Sequence, residues 1–382
     1  MIRLTVPSIE ADDLEAVRHV VASGQLVQGP HVGRFESAIA DVVGSKHAVV
    51  VTNCTAALQM ALLAVGVGPG DTVVIGAYSW PTTANVVELC GAVPVFVDVD
   101  PESFNMRVDA LEETLQRLHA SPHAGRRVKA IIPIHVFGQI ADMRGILAVA
   151  ERFGIPVIED AACALGASAE QRQAGSWGVM GCFSFHPRKA VTTGEGGAIV
   201  TNDETHARYL RALRNHGQDP VADQPDPFMF PGFNNRMTEF QAALGVSQMA
   251  KLGRIIAARR ALAQRYDELL PSWLSRQGVP ADDPRHVFQS YVVLLPTEVA
   301  PRRAAMISEL RTAGIETQIG TWHMPLITYY RSRYGYQRGA FPVCDDIASR
   351  ALTLPLYEGM TADDQRAVVE AVSAQVAHVA GR

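Results

Sequence analysis

With 382 residues the chain exceeds one ordinary domain of ~100–200 residues and is expected to form two or three compact units. Hydrophobic residues make up 48% and charged residues 19%, which excludes a disordered chain. A net charge of -5 and a pI of about 6.2 exclude the clustered basic footprint of a nucleic-acid binder. No apolar run approaches the ~20 residues of a membrane span, since the stretch 56–67 is broken by Gln59 and Gly66. The polar opening, with Glu10, Asp12 and Asp13, lacks a signal-peptide core, so a cytoplasmic protein with small-molecule partners is expected. The cysteines Cys54, Cys90, Cys163, Cys182 and Cys344 are scattered without a Cys-x-x-Cys pair and read as reduced thiols.

The first two-thirds of the chain alternates strand and helix, the pattern of a mostly parallel sheet covered on both faces. A strand is expected at 47–51, then a helix over 56–63 whose start is marked by Thr52-Asn53-Cys54-Thr55. Strands follow at 72–77 and 130–136, a helix at 142–153, and a strand at 155–160 that ends on Asp160. The carboxyl edge of such strands is where open α/β sheets bind ligands. Strands at 181–185 and 197–201 bracket a loop holding Lys189 and Gly194-Glu195-Gly196-Gly197. Five prolines or glycines in 219–232 suggest a mobile loop. A long helix is expected from Thr238, capped with Gln241, to about 269. A strand at 286–295, a helix at 301–313, a strand at 315–319 and a helix at 361–379 make a smaller α+β unit.

A loop lysine is ordinarily a solvated charge, but the surroundings of Lys189 point elsewhere. Pyridoxal phosphate chemistry needs an amine to hold the cofactor as a Schiff base and an acid to keep its ring nitrogen protonated. It also needs a phosphate cradle and a flat lid over the ring. Lys189 is the amine and Asp160 the acid, although Asp160 alone would read as a cap or a surface carboxylate. The helix start at Thr52-Asn53-Cys54-Thr55-Ala56 offers amides and hydroxyls to a phosphate, and alone would read as an ordinary N-cap. Trp80 by itself reads as a core aromatic.

The run Gly181-Cys182-Phe183-Ser184-Phe185-His186-Pro187-Arg188-Lys189, continuing to Thr193-Gly194-Glu195-Gly196-Gly197, closely resembles the cofactor-lysine motif of the DegT/DnrJ/EryC1/StrS aminotransferases. Similarity extends through 24–35 with Gln28-Gly29-Pro30, 52–58, 93–101, Val157-Ile158-Glu159-Asp160-Ala161-Ala162, and Gly232-Phe233-Asn234-Asn235-Arg236-Met237-Thr238-Glu239. The resemblance implies an α/β, fold-type-I aminotransferase of the aspartate aminotransferase-like kind. A large, mixed, mostly parallel sheet domain would span 1–248, and a smaller C-terminal α+β domain would span 249–382. It also implies a homodimer with active sites at the subunit boundary.

Carried over by motif, Lys189 holds the cofactor and later shuttles protons, and Asp160 pairs with the ring nitrogen. Ser184 and the backbone around Cys54 and Thr55 hold the phosphate, Asn234 reaches the neighbouring subunit's phosphate, and Trp80 stacks on the ring. Three positions depart from the family pattern: Cys54 replaces a usual Gly, Cys163 a usual His or Gln, and Asn235 a common aromatic. Cys163 is read as either a weak donor or a small buried apolar group at the cofactor, with the second favoured. His186, Arg236 and His323 are candidates for contacts to a sugar or its nucleotide diphosphate.

The reaction implied by the resemblance moves an amino group from an amino-acid donor, L-glutamate, to the keto group of a nucleotide-linked sugar. A keto-cyclitol acceptor is the alternative among enzymes of this scaffold, and a catalytically silent regulator of the same fold is the alternative outside enzymes. A dehydratase of the same family would carry histidine in place of Lys189. The released lysine must be neutral to take a proton, and burial and the nearby cationic imine are both expected to lower its pKa. No metal is expected, because Pro122 separates His119 from His123 and no zincin-like pairing occurs.

Overall fold

The computed structural model describes residues 1–120, 127–219 and 226–380. Part of the segment expected to be mobile, 220–225, lies outside the described residues. Runs rich in β-branched residues form the main strands, as in His47–Val51, Thr72–Gly76 and Val93–Val97. Among the described residues the strands align in the order His47–Val51, Gly197–Thr201, Met180–Ser184, Ile158–Asp160, Val128–Ile132, Thr72–Gly76, Val93–Val97. Parallel bridges from Ile131 to Val157 and from Ile134 to Asp160 join the two halves of this array. Gly197–Thr201 runs antiparallel to both of its neighbours, and the remaining pairings beyond it are parallel.

Side chains alternate across this sheet with the period of two that a strand imposes. Val49 and Val51 enter one core with the helices Cys54–Ala64 and Thr82–Leu89. Ala48 and Val50 enter the opposite core with Pro30–Val43 and Met143–Phe153. A third core gathers around Tyr266, Tyr291, Leu310 and Val372 in the C-terminal part. Its sheet, Ser275–Arg276, Tyr291–Leu294, Ala351–Leu354 and Gln318–Ile319, is antiparallel throughout. The start of the chain is stitched to this part: Ile2 bridges Ile315, and Leu356 N donates to Leu4 O at 3.1 Å.

The elements depart from expectation where a local interaction outcompetes the pattern. The single helix expected over 238–269 forms as two, Glu239–Met249 and Leu252–Leu269. A turn at Ala250 and Lys251 separates them, and the Lys251 ammonium lies 2.6 Å from Asp12 Oδ1 and 2.7 Å from Asp13 Oδ2. The capping box of Thr238 and Gln241 forms as the sequence suggests. The strand expected from 286 begins only at Tyr291, because the His286 ring stacks on Phe288 at 3.9 Å and accepts from Phe288 N at 3.0 Å. The strand expected over 130–136 stops at Ile132, with Phe137 at φ 57° turning the chain. The strand expected over 315–319 shortens to Gln318–Ile319, since Ile315 pairs with Ile2 instead.

The packing of Glu239–Met249 on Pro30–Val43 depends on Gly245, where an added Cβ would meet the fully buried Phe35 ring at 2.6 Å. Gly245→Ala is expected to cost ~1–3 kcal/mol through overpacking. Gly253→Ala, with nothing within 4 Å of the new methyl, should stabilise by roughly 0.5 kcal/mol. Urea unfolding of the two variants checks the pair, and equal midpoints would contradict this account of the contact.

Candidate active site

Asp160 ends its strand at the carboxyl edge of the large sheet and is buried. Its Oδ2 accepts from Thr83 Oγ1 at 2.6 Å and its Oδ1 from Ala162 N at 3.2 Å. The backbone on either side is held as well, by Asp160 N to Pro133 O at 2.9 Å and His135 N to Asp160 O at 3.0 Å. Glu159, fully buried beside it, accepts from Trp177 N at 2.6 Å and from Gly178 N and Gly175 N, each at 2.7 Å. His135 Nε2 lies 2.9 Å from the same carboxylate, while His135 Nδ1 accepts from Ala141 N at 3.2 Å. That bonding puts the His135 proton on Nε2.

Lys189 sits in a tight turn after Met180–Ser184, its N–H donating to His186 O at 2.8 Å. Its Nζ donates to Cys163 Sγ at 3.0 Å, so of the two readings of Cys163 the polar, hydrogen-bonding one fits this geometry better, with the thiol as acceptor. Burial pushes the Lys189 ammonium down, but the thiol of Cys163, its hydrogen bond, Cys54 and Asp160 together carry it above the ordinary lysine value. Burial is thus outweighed by sulfur and carboxylate neighbours here, while the expectation for the released lysine also counts a nearby cationic imine. Cys54, fully buried, is pushed well up by desolvation and then by Asp160 and Cys182, with Lys189 opposing. Lys189, Asp160, Cys54 and Cys163 thus share one electrostatic neighbourhood.

A seat for an anion lies alongside. Val51 pairs with Gly197 and Gly197 with Ser184, so the end of one strand and the start of the Cys54–Ala64 helix meet. A Cβ at Gly197 would collide with the Asn53 backbone, so only glycine permits this approach. Asn53 Oδ1 accepts from Ala56 N at 2.9 Å and Asn53 O from Ala57 N at 3.1 Å. The amides of Cys54 and Thr55 precede these bonds and remain at the positive end of the helix, where an anion is stabilised. The Ser184 hydroxyl, which accepts from His186 N at 3.4 Å, belongs to the same corner. Together these groups can bond a carbonyl, hold a cationic ring nitrogen and seat a phosphate, which is the donor set that pyridoxal phosphate requires.

Trp80 is 58% exposed and lines a cavity of about 650 Å³, so it is no core aromatic. His323, in the strand Trp322–His323 paired with Tyr78–Ser79, lines the same cavity. His186 lies in the turn before Lys189, where its Nδ1 accepts from Arg188 N at 3.2 Å. Arg236 donates to Asn215 Oδ1 at 2.5 Å and bridges Val51 through its backbone. Asn234 is exposed and, among the described residues, no hydrogen bond links it to the lysine cluster of its own chain. Sequence reasoning missed Thr83, although it stands three residues after Trp80 at a helix start. It also missed Glu159, whose buried acceptor role no local pattern announces.

A model describing the DegT/DnrJ/EryC1/StrS aminotransferase family matches residues 7–373. The chain belongs to this aminotransferase family. GDP-perosamine synthase of Caulobacter vibrioides is 38% identical over 346 residues, covering 90% of each chain. The dTDP-3-amino-3,4,6-trideoxy-alpha-D-glucose transaminase of Micromonospora megalomicea subsp. nigra is 37% identical, covering 95% of this chain and 94% of the relative. A crystal structure of a DegT DnrJ EryC1 StrS aminotransferase from Brucella abortus is similar at TM-score 0.86 and 33% identity, covering 95% of each chain. The α/β architecture expected from the resemblance is the one observed, and this family member is an enzyme of the pyridoxal-phosphate-dependent transaminase class.

Because Cys163 raises the Lys189 pKa, Cys163→Ala should make the amine neutral at lower pH. The rate at which cofactor-free protein reacts with pyridoxal, followed by absorbance against pH, should then have its midpoint shifted to the acidic side. An unmoved midpoint would remove Cys163 from this role.

Proposed function

We propose that the protein moves an amino group from an amino acid, L-glutamate, to the keto carbon of a nucleotide-linked sugar, with pyridoxal 5'-phosphate held at Lys189. The observation that carries this reading is the convergence of the Lys189 amine, the buried Asp160 carboxylate and the start of the Cys54–Ala64 helix at one sheet edge. Relatives named for a GDP-linked and a dTDP-linked compound support the class of acceptor.

When bound, the cofactor supplies a carbonyl that bonds amines and a ring that takes up electrons as an α-proton leaves. Asp160, anchored by Thr83 and Ala162 N, keeps the ring nitrogen protonated. The amides of Cys54 and Thr55 and the Ser184 hydroxyl hold the phosphate, and Trp80 covers the ring. Lys189 anchors the cofactor and, once displaced, takes the α-proton of the donor and returns a proton to the product. It does so as a neutral amine, against the pull of Cys163. Water excluded by the buried sheet edge sharpens each of these electrostatic contacts.

Asn234 reaches the phosphate of a second copy in a homodimer, which accords with its exposure and its lack of a role beside its own Lys189. His186, Arg236 and His323 face the acceptor in this reading. It also divides the chain into a cofactor-binding unit, 1–248, and a C-terminal unit, 249–382, with the first few residues crossing back to the second.

Protein purified with pyridoxal phosphate should show a visible absorption band that bleaches with L-glutamate as 2-oxoglutarate appears. Keto nucleotide sugars should then gain an amino group, read by product mass. Lys189→Ala should lose the band and at least ~100-fold of turnover. Full turnover in that variant contradicts the assignment of Lys189, and amination of a keto-cyclitol without any nucleotide sugar contradicts the assignment of the acceptor.

A further inference from the structure

Four of the five cysteines are buried, and Cys163 is the one partly open to solvent. Burial pushes the thiols of Cys54 and Cys182 well above the ordinary value, that of Cys90 to about 11, and that of Cys344 up as well. Thiols held in that state are poor nucleophiles. Cys163 has a different setting, in the turn that follows the Ile158–Asp160 strand, with Lys189 Nζ donating to its sulfur at 3.0 Å. Position 163 is also one of the three that depart from the family pattern. The usual His or Gln there has no sulfur to oxidise.

Peroxide is attacked by sulfur, and the cysteines that react are the accessible ones beside cationic groups. Cys163 meets both conditions. The first product of such a reaction is a sulfenic acid, whose sulfur is electrophilic and condenses with a thiol or a nitrogen within reach. Here an amine stands at hydrogen-bond distance from the sulfur before any reaction begins. The flexible four-carbon stem of lysine allows the last approach. The other thiols of the neighbourhood, Cys54 and Cys182, are sealed from solvent and kept in their unreactive form.

We infer that Cys163 and Lys189 form a peroxide-responsive pair, in which oxidation joins Sγ to Nζ as a sulfenamide and blocks the amine until thiols reduce the bond. In the first step the S–H bond and the O–O bond break, the thiol becomes a sulfenic acid, and the other peroxide oxygen leaves as water. In the second the neutral amine attacks sulfur, the S–N bond forms, the S–O bond breaks, and hydroxide departs with an amine proton as a second water. One peroxide thus removes two electrons and two hydrogens from the pair. Two molecules of a reducing thiol return them and become a disulfide. The bond needs a free amine, so a group bound on Lys189 protects the pair, and the bond in turn keeps that group out. It also stops the sulfur short of the irreversible sulfinic stage.

The test treats full-length, cofactor-free protein with a small excess of hydrogen peroxide, digests it without reductant and maps the peptides by mass. The wild type yields a linked pair containing residues 163 and 189, about 2 Da lighter than the two peptides together, and dithiothreitol separates it. Its uptake of pyridoxal phosphate, read by visible absorbance, falls roughly 10-fold or more after peroxide and returns on reduction. Cys163→Ser gives no link and takes up as much pyridoxal phosphate after peroxide as before it. Lys189→Arg gives no link either, and its Cys163 advances to a sulfinic acid that dithiothreitol does not reverse. Wild type loaded with pyridoxal phosphate beforehand gives less link than the cofactor-free protein. Treated, cofactor-free wild type in which Cys163 is still reduced, or is a sulfinic acid beside a free Lys189, overturns the inference. Protein that forms the link yet makes no 2-oxoglutarate from L-glutamate keeps this inference and loses the aminotransfer reading.

Discussion

A carboxylate buried in a protein persists only when its lone pairs are filled, and Glu159 shows what that filling accomplishes. Three backbone amides from residues 175–178 and the His135 ring converge on it, so a surface turn is drawn against the sheet by one charge. Strand alternation then sends the next side chain, Asp160, to the other side, where Thr83 and Ala162 N receive it. The two neighbouring acids divide the labour. One fastens the scaffold and the other is held at the sheet edge, in the electrostatic neighbourhood of Lys189. Removing the first would leave the second on an unsupported strand end.

The lysine itself stands in a balance of opposed effects. Desolvation favours its neutral form, whereas Cys163, Cys54 and Asp160 favour its charge, and the second group prevails. A thiol at position 163 is a soft partner for this purpose. It can hold an ammonium through one hydrogen bond yet forms a weaker bond than a carboxylate would, so the proton remains available for exchange. The sulfur that departs from the family pattern is thereby tied to the acid–base chemistry of the site.

Much of this was written in local sequence. The strand at 197–201, the capped helix start after Asn53 and the acid at the end of a β-branched run each follow from short patterns, and Lys189 is marked by its surrounding motif. What escaped was long-range. The helix break at Lys251 needs Asp12 and Asp13, more than 230 positions away, and the turn at His286 needs a ring stack rather than a periodicity. Arg303 and Arg338, which line the cavity beside Trp80, come from segments more than 200 residues further along the chain. Patterns of two to four residues carry no information about such meetings.

The bridge between Ile2 and Ile315 has a temporal side. During synthesis the amino end must wait for more than 300 further residues before its β partner leaves the ribosome, roughly 15–60 s at ordinary translation rates of ~5–20 residues per second. The strand that ends on Asp160 and the two strands that flank the Lys189 turn are all made within the first 201 residues and need no such delay. The strands around Asp160 and Lys189 can therefore align while Ile2 is still unattached, and its bridge joins two residues made far apart in time.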